Sequence, residues 1–214
     1  MFEKKRNEMV TKYVIEAGIR NTKIIDAMRK IPRHKFVESA IEHQAYSGAS
    51  LPIGYGQTIS HPLTVALMTD ALELNGKEKI LEIGTGSGYQ AAVLAEMGVK
   101  VFSIERIPQL SKKAQELLYR LGYFSVAFHI GDGTVGWTQY APYDRILVTA
   151  GSPKVPKTLL NQLANEGKLI IPVGNQDTQE FVLITRQGEK FVSKILNKAT
   201  FVPLIGRKGW EIKE

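Results

Sequence analysis

Cysteine is absent from the 214-residue chain, which removes disulfides, thiolate-bound zinc, iron–sulfur clusters and thiol nucleophiles together. Histidine is scarce. His34, His43, His61 and His129 are the four, and none stand at the H-x3-H or H-E-x-x-H spacing that puts two metal ligands on one helix face. No metal is therefore expected. No run approaches the roughly 18 to 20 consecutive apolar residues of a membrane-spanning helix. The opening Met1-Phe2-Glu3-Lys4-Lys5-Arg6 lacks the apolar stretch of a secretion signal. The expectation is an unprocessed cytoplasmic chain with no membrane partner. Internal repeats, low-complexity tracts and long Gly/Ser/Pro linkers are also missing, so a single domain over 1–214 is expected.

What is present is ordinary globular composition, 43% apolar and 23% charged, which excludes wholesale disorder. The formal charge of +7 raises two classes of partner, nucleic acid and acidic substrates, because a basic surface attracts anions. Within 3–17, Met9, Val10, Tyr13, Val14 and Ala17 fall on one helix face that Gly18 can stop. Asn21 can cap a second helix ending before Pro32. Arg20, Lys23, Arg29, Lys30, Arg33 and Lys35 are scattered around this opening without interleaved aromatics, which reads as a solvated face rather than a phosphate track.

From residue 60 onward, short apolar runs alternate with helical patterns, the signature of repeated β-α units. Strands are predicted at 80–83, 99–104, 126–130, 146–149 and 169–173, and helices at 90–97, 108–121 and 155–163. After Pro172 the pattern becomes hairpin-like, with 181–185 and 190–196 joined by Arg186-Gln187-Gly188-Glu189 and a further strand at 200–204. The fold class is thus α/β, doubly wound and Rossmann-like, with a mostly parallel sheet, antiparallel edge strands and an N-terminal helical extension. Three stretches follow: helices and a pre-core segment (1–60), a ligand-binding core (61–173) and C-terminal strands (174–214).

The segment Leu81-Glu82-Ile83-Gly84-Thr85-Gly86-Ser87-Gly88-Tyr89 leaves a buried strand and enters a helix. A dinucleotide fingerprint needs its third glycine at 89, where Tyr89 stands, and no Lys-Ser/Thr follows the loop as in a phosphate-binding P-loop. Glu105, closing the next strand, is placed to accept both ribose hydroxyls, so an adenosine ligand without a pyrophosphate fits best. The alternative is a tight turn with glycines for packing alone. Gly131-Asp132-Gly133 follows a strand at the same carboxyl edge, either as a ligand contact or as a plain Asp-Gly turn. Upstream, Ser60 can cap a helix from His61 to about Leu72, whose terminus would attract anions.

The glycine loop with Glu82 and Glu105 resembles the Rossmann-like S-adenosyl-L-methionine-dependent methyltransferases. In those enzymes the acid of the Gly131-Asp132-Gly133 type faces the adenine. The run Leu51-Pro52-Ile53-Gly54-Tyr55-Gly56-Gln57-Thr58-Ile59-Ser60-His61-Pro62 narrows the resemblance to the protein-L-isoaspartate O-methyltransferases. It is joined in family order by 31–37, Ala45-Tyr46, 81–90, 131–133, 143–150, 167–173 and 201–204, so the likeness spans about 31–205. The resemblance implies cofactor contacts at Thr58, Ser60, Glu82, Gly84, Thr85, Gly86, Ser87, Gly88, Glu105, Arg106, Gly131, Asp132 and Gly133. It implies substrate contacts at Ile53, Gly54, Gln57, Thr58, Ile59, Val202, Pro203 and Leu204, with Ser60 as the catalytic residue. Taken without the family, 202–204 reads equally as an edge strand limited by Pro203.

The resemblance further implies methyl transfer from S-adenosyl-L-methionine, yielding S-adenosyl-L-homocysteine, to the α-carboxylate of L-isoaspartyl residues in age-damaged proteins and peptides. The ester then leads to a succinimide. Two departures lie beside the implied groove: Ser47 and Gly48 replace an acidic pair common in the family, and His61 replaces a common Gln. His61 reads as a first-turn helix residue rather than a base. Rival readings are a methyltransferase acting on RNA or a small molecule, and a basic nucleic-acid-binding module. The intact Gly56-Gln57-Thr58-Ile59-Ser60 run argues against both, and no RNP-like aromatic motif or zinc finger supports the second. No nucleic-acid partner and a monomeric state are expected.

Overall fold

The computed structural model describes residues 1–211. Helix α1 (Phe2–Val10) runs into a π-helical turn, Thr11–Ile15, and is followed by α2 (Thr22–Lys30). Two 3-10 turns, Arg33–Phe36 and Ser39–Gln44, lead to a two-stranded antiparallel hairpin of β1 (Leu51–Gly54) and β2 (Gln57–Ile59). The core then alternates α3 (Pro62–Ala71), β3 (Lys79–Ile83), α4 (Tyr89–Glu96), β4 (Lys100–Glu105), α5 (Pro108–Arg120), β5 (Ala127–Ile130) and β6 (Tyr143–Val148). After the single-turn α6 (Lys157–Leu160) come β7 (Leu163–Gly174), β8 (Gln179–Gln187) and β9 (Lys190–Ala199).

The main sheet has the order β5-β4-β3-β6-β7-β8-β9. Strands β3 to β7 pair in parallel, and β8 and β9 add antiparallel to the β7 side. Successive side chains of a strand point to opposite faces. Ile80, Val101, Leu147 and Ile170 therefore pack under the N-terminal helices, α3, α4 and α5. Leu81, Ile83, Phe102, Ile146, Val148 and Leu169 pack on the opposite face with Leu159 of α6. Both faces are covered, which is why these strands read as nearly continuous apolar runs. Chain order reverses between β3 and β6, and ligands of open α/β sheets bind outside the carboxyl ends of strands at such a point.

Four local expectations are corrected. The first helix is interrupted by the π turn, whose extra residue shifts the buried stripe from Met9, Val10 and Val14 to Ile19 and leaves Ala17 exposed. The helix expected over 155–163 is only α6. Leu163 is already paired with Tyr143, because joining the sheet satisfies the backbone and buries the leucine completely. Ser60 does not cap α3; His61 does, its Nδ1 accepting from the Leu63 N–H at 3.0 Å. Finally, 200–204 is no strand but a crossing segment that touches the sheet by a single bridge, Gly151 to Pro203. Asn21 does cap α2, accepting from the Lys23 N–H at 3.1 Å.

The turn into β3 is held by Glu78, whose carboxylate accepts the backbone N–H groups of Asn75 at 2.8 Å, Gly76 at 2.9 Å and Lys77 at 3.1 Å. Burial alone would raise its pKa, but these donors together hold it below the ordinary carboxylate value. The stabilisation is present above the unfolded value of 4.5 and is lost as pH falls through the depressed folded value. Glu78→Gln is expected to lose about 1.5 to 3 kcal/mol of stability at neutral pH, from hydrogen bonds to a charged group. Urea melts at pH 7 and about pH 3.5 should show the difference from the parent shrinking in acid.

Candidate active site

The glycine loop between β3 and α4 lies against the end of β6. Gly84 has φ of +93°, and a Cβ there would fall 2.3 Å from Thr149 Oγ1, so only glycine fits. Thr149 in turn donates from Oγ1 toward the carbonyls of Ile83 at 2.9 Å and Gly84 at 2.7 Å, and its N–H reaches Ile83 O at 2.9 Å. A cleft of about 760 Å³, counting space open to solvent, lies over this seam. That size suits a nucleoside-like ligand, since such sites run to roughly 300 to 1,000 Å³.

Of the expected cofactor residues, Gly84, Thr85, Gly86 and Ser87 form one wall, and Glu105, Arg106 and Gly133 form another. Thr58 and Ser60, expected to meet both ligands, also line the cleft. Glu105 is buried at the floor, with Oε2 accepting from Gly86 N–H and Oε1 from Ile107 N–H, both at 2.9 Å. Each carboxylate oxygen keeps a further lone pair for a hydroxyl donor. The donor set fits an adenosine: a glycine wall too close for side chains and a carboxylate with spare acceptor capacity.

Four expected cofactor positions are placed elsewhere. Glu82 is fully buried beneath the loop, where Ser103 Oγ donates to Oε2 and Thr85 Oγ1 bonds Ser103 Oγ at 2.5 Å. Its Oε1 has no partner among the described residues. Burial pushes its carboxyl up to about 8, with the Ser103 hydrogen bond opposing and Glu105 reinforcing the rise. Asp132 is turned to the C-terminal segment: Oδ1 accepts the Thr134 N–H at 2.9 Å and its hydroxyl at 2.6 Å, and Oδ2 accepts the Arg207 N–H at 2.9 Å. Those donors outweigh burial and hold it below the ordinary value. Gly131 packs beside His129, and Gly88, at φ +86°, packs against Ala114 and Leu118 of α5.

On the substrate side, Gln57, Thr58, Ile59 and Ser60 of the β1–β2 hairpin face Val202, Pro203 and Leu204 across the cleft. Among the described residues the Ser60 hydroxyl takes no hydrogen bond, since His61 has the capping role, and it is free for a ligand. Ile53 instead lines a smaller adjoining hollow with Gly86 and Ser87, and Gly54 lies exposed at the hairpin turn. The 202–204 segment is tied down by Gly151 N–H to Val202 O at 2.8 Å, Leu204 N–H to Gly151 O at 2.7 Å and Trp210 N–H to Leu204 O at 2.8 Å. His61 accepts the Leu63 N–H and has its pKa lowered, by burial first and by the Arg33 charge second, so it is neutral.

Sequence reasoning missed Thr149, Ala150, Tyr89 and Gln90 among the lining residues. Thr149 had a usable signal, being the first residue past a buried strand at the carboxyl edge. Tyr89 had none, because its ring is turned into the protein against Phe36 and over the Arg33 guanidinium.

The family profile of the protein-L-isoaspartate(D-aspartate) O-methyltransferases matches residues 4–209. The chain belongs to that family. Protein-L-isoaspartate O-methyltransferase 1 of Syntrophobacter fumaroxidans is 52% identical over 210 residues, 98% of each chain. Protein-L-isoaspartate O-methyltransferase 2 of Geotalea uraniireducens is 54% identical over 206 residues, 96% of this chain and 95% of its own. A solved protein-L-isoaspartate O-methyltransferase superposes with a TM-score of 0.86 at 30% identity, covering 98% of this chain and 67% of that one. A Plasmodium falciparum protein solved in complex with S-adenosyl-L-homocysteine shares the fold, with a TM-score of 0.82 at 24% identity over 94% of this chain and 98% of its own. Within the family's fold, the resemblance carried by the hairpin and the glycine loop thus extends over nearly the whole chain.

The neutral Glu82 generates a stability prediction. A carboxyl whose folded pKa is raised stabilises the fold most below its ordinary 4.5 and loses that contribution as pH rises through about 8. Glu82→Gln, which keeps the acceptor for Ser103 without an ionisable proton, should melt with little pH dependence from this site. Relative to the parent it should gain stability between about pH 5 and 8. Parallel melting-temperature profiles for the two proteins would place a charged Glu82 in the fold instead.

Proposed function

We propose that this cleft holds S-adenosyl-L-methionine on the glycine-loop side and an L-isoaspartyl residue of a damaged protein or peptide on the hairpin side. The methyl group is moved to the isoaspartyl α-carboxylate, leaving S-adenosyl-L-homocysteine and a methyl ester that closes to a succinimide. The observation that carries the reading is the meeting of Thr58-Ile59-Ser60 and Val202-Pro203-Leu204 over the Gly84–Ser87 wall, in a chain of this family. The S-adenosyl-L-homocysteine in the Plasmodium falciparum relative supports the choice of ligand.

When bound, S-adenosyl-L-methionine supplies a methyl group activated by a positively charged sulfur. Gly84, Thr85, Gly86 and Ser87 would hold it through close backbone approach, with Glu105 accepting from its ribose hydroxyls. The acceptor carboxylate, with an ordinary pKa near 4, is already ionised at neutral pH. No general base is required, which agrees with a neutral His61 engaged as a helix cap. The residues act by alignment: the unengaged Ser60 hydroxyl orients a carboxylate oxygen, and Ile59 and Leu204, both buried, exclude water around it. Such positioning can contribute roughly 7 to 11 kcal/mol to the barrier reduction.

Ser60→Ala should lower turnover with little change in cofactor affinity, measured by equilibrium titration beside initial rates; unchanged turnover would remove Ser60 from the reaction. Glu105→Gln should weaken cofactor binding by about 1.5 to 3 kcal/mol, the contribution of a hydrogen bond to a charged group. The direct test of the function is transfer of labelled methyl to two peptides differing only in isoaspartate against aspartate at one position. Base-labile label is expected on the isoaspartyl peptide alone. Label on neither, with the cofactor still bound, would redirect the search to RNA and small-molecule acceptors.

A further inference from the structure

Arg33 is fully buried, and among the described residues no carboxylate pairs with it. Its Nε donates to Ala45 O at 2.9 Å, and its Nη2 donates to Ser60 O at 2.8 Å and Ala49 O at 3.3 Å. Its Nη1 has no acceptor among the described residues. The cations of the ion pairs found among those residues are all others, such as Lys30 with Glu96 and Lys113 with Glu38. The Tyr89 ring lies 4.8 Å from Arg33 Cζ, and the Tyr89 hydroxyl is buried without a partner. Ser47 and Gly48, in the neighbouring turn, carry no charge. A side chain at Gly48, where φ is +74°, would enter the Tyr13 ring, with Cζ only 2.2 Å from its Cβ, so position 48 has no room for an acid.

Removing an ion from water without a partner of opposite charge is costly, and three carbonyl dipoles offset only part of that cost. A buried cation so placed leaves a positive field in its surroundings. One of the residues it touches, Ser60, lines the cleft. The guanidinium stands directly behind the peptide carbonyl of Ser60, the residue whose free hydroxyl faces the ligand.

We propose that Arg33 is a positioning and charge-selecting residue: it fixes Ser60 through its carbonyl and supplies the positive field that favours an ionised carboxylate acceptor over a neutral one. This rests on the functional reading above. The substrate brings the negative charge that the protein withholds, and esterification removes it. The carboxylate is therefore held more tightly than the uncharged ester, which favours release after transfer. Because the negative charge of the acceptor falls as the transition state is approached, this attraction strengthens substrate affinity and gives no acceleration of the chemical step.

The test compares equilibrium binding, to protein loaded with S-adenosyl-L-homocysteine, of an isoaspartyl peptide and its α-carboxamide analogue, which is neutral at the same position. The parent is expected to prefer the carboxylate. Arg33→Lys should retain the preference, and Arg33→Gln should reduce it on the order of tenfold, with KM for the peptide raised by the lost charge and kcat lowered by the loosened Ser60. A merely structural role would weaken both peptides equally and leave their ratio unchanged, which would overturn the proposal. If Arg33→Gln does not fold, the parent alone decides. Its preference should survive about 0.5 M salt, because a buried charge is poorly screened; abolition by salt would assign the selection to exposed cations such as Arg106 at the cleft and overturn the proposal. If the parent does not methylate the isoaspartyl peptide at all, the functional reading fails; if it does and the ratio ignores Arg33, only this assignment fails.

Discussion

The close approach of Gly84 to Thr149 is the constraint on which the rest of the site depends. It occurs where chain order reverses, so the connections leaving β3 and β6 run in opposite directions while the strands stay paired, and a crevice opens outside their carboxyl ends. Thr149 closes the base of that crevice by bonding the carbonyls of Ile83 and Gly84, and glycine is required because any Cβ would overlap its hydroxyl. With the loop pinned, Gly86 presents its N–H to Glu105, and the two strands β3 and β4 deliver a glycine wall and a carboxylate to the same cavity.

The charges around the cavity are sorted by their hydrogen-bond partners. Glu82 and Glu105 close neighbouring parts of adjacent strands, yet one is sealed below the loop with a single hydroxyl donor and is held neutral, and the other receives two backbone N–H groups at the cleft floor. Different environments give two carboxylates different roles. Asp132, the third acid of this edge, is held ionised by donors from Thr134 and Arg207, and so serves to anchor the C-terminal turn beside the cavity. Arg33, without a counter-charge among the described residues, stands behind Ser60 on the hairpin side of the cavity. The floor, where Glu105 alone of the three lies, suits ribose hydroxyls, and the cationic back wall suits an anionic acceptor.

The C-terminal segment shows how far periodicity can mislead. Residues 200–204 have the β-branched, aromatic and apolar content of a strand, but Pro203 has no N–H for a ladder and the segment crosses the carboxyl edge instead of extending the sheet. Its anchors, Gly151 and Gln179, lie tens of residues earlier in the chain and cannot be inferred from its own composition. The helix expected over 155–163 failed for a related reason: pairing of Leu163 with Tyr143 outweighs local helical preference. His61 displaced Ser60 as helix cap because a neutral ring nitrogen reaches the Leu63 N–H, which a count of preferred capping residues does not reveal.

The sequence by itself determined the α/β alternation, the absence of cysteine chemistry, the glycine loop and the residues that carry the family resemblance. These depend on short-range pattern: buried parallel strands are apolar on both faces, and a turn with positive φ demands glycine. Only the tertiary structure decided that Glu82 and Asp132 lie outside the cleft wall, that Thr149 lies within it, and that Arg33 is buried behind Ser60 without a counter-charge among the described residues. Each of these is a matter of which distant group occupies the space beside a side chain. Glu82 beside a hydroxyl in a sealed core and Glu105 beside amide donors at a crevice have the same letter in the sequence, and their bonding differs because their surroundings do.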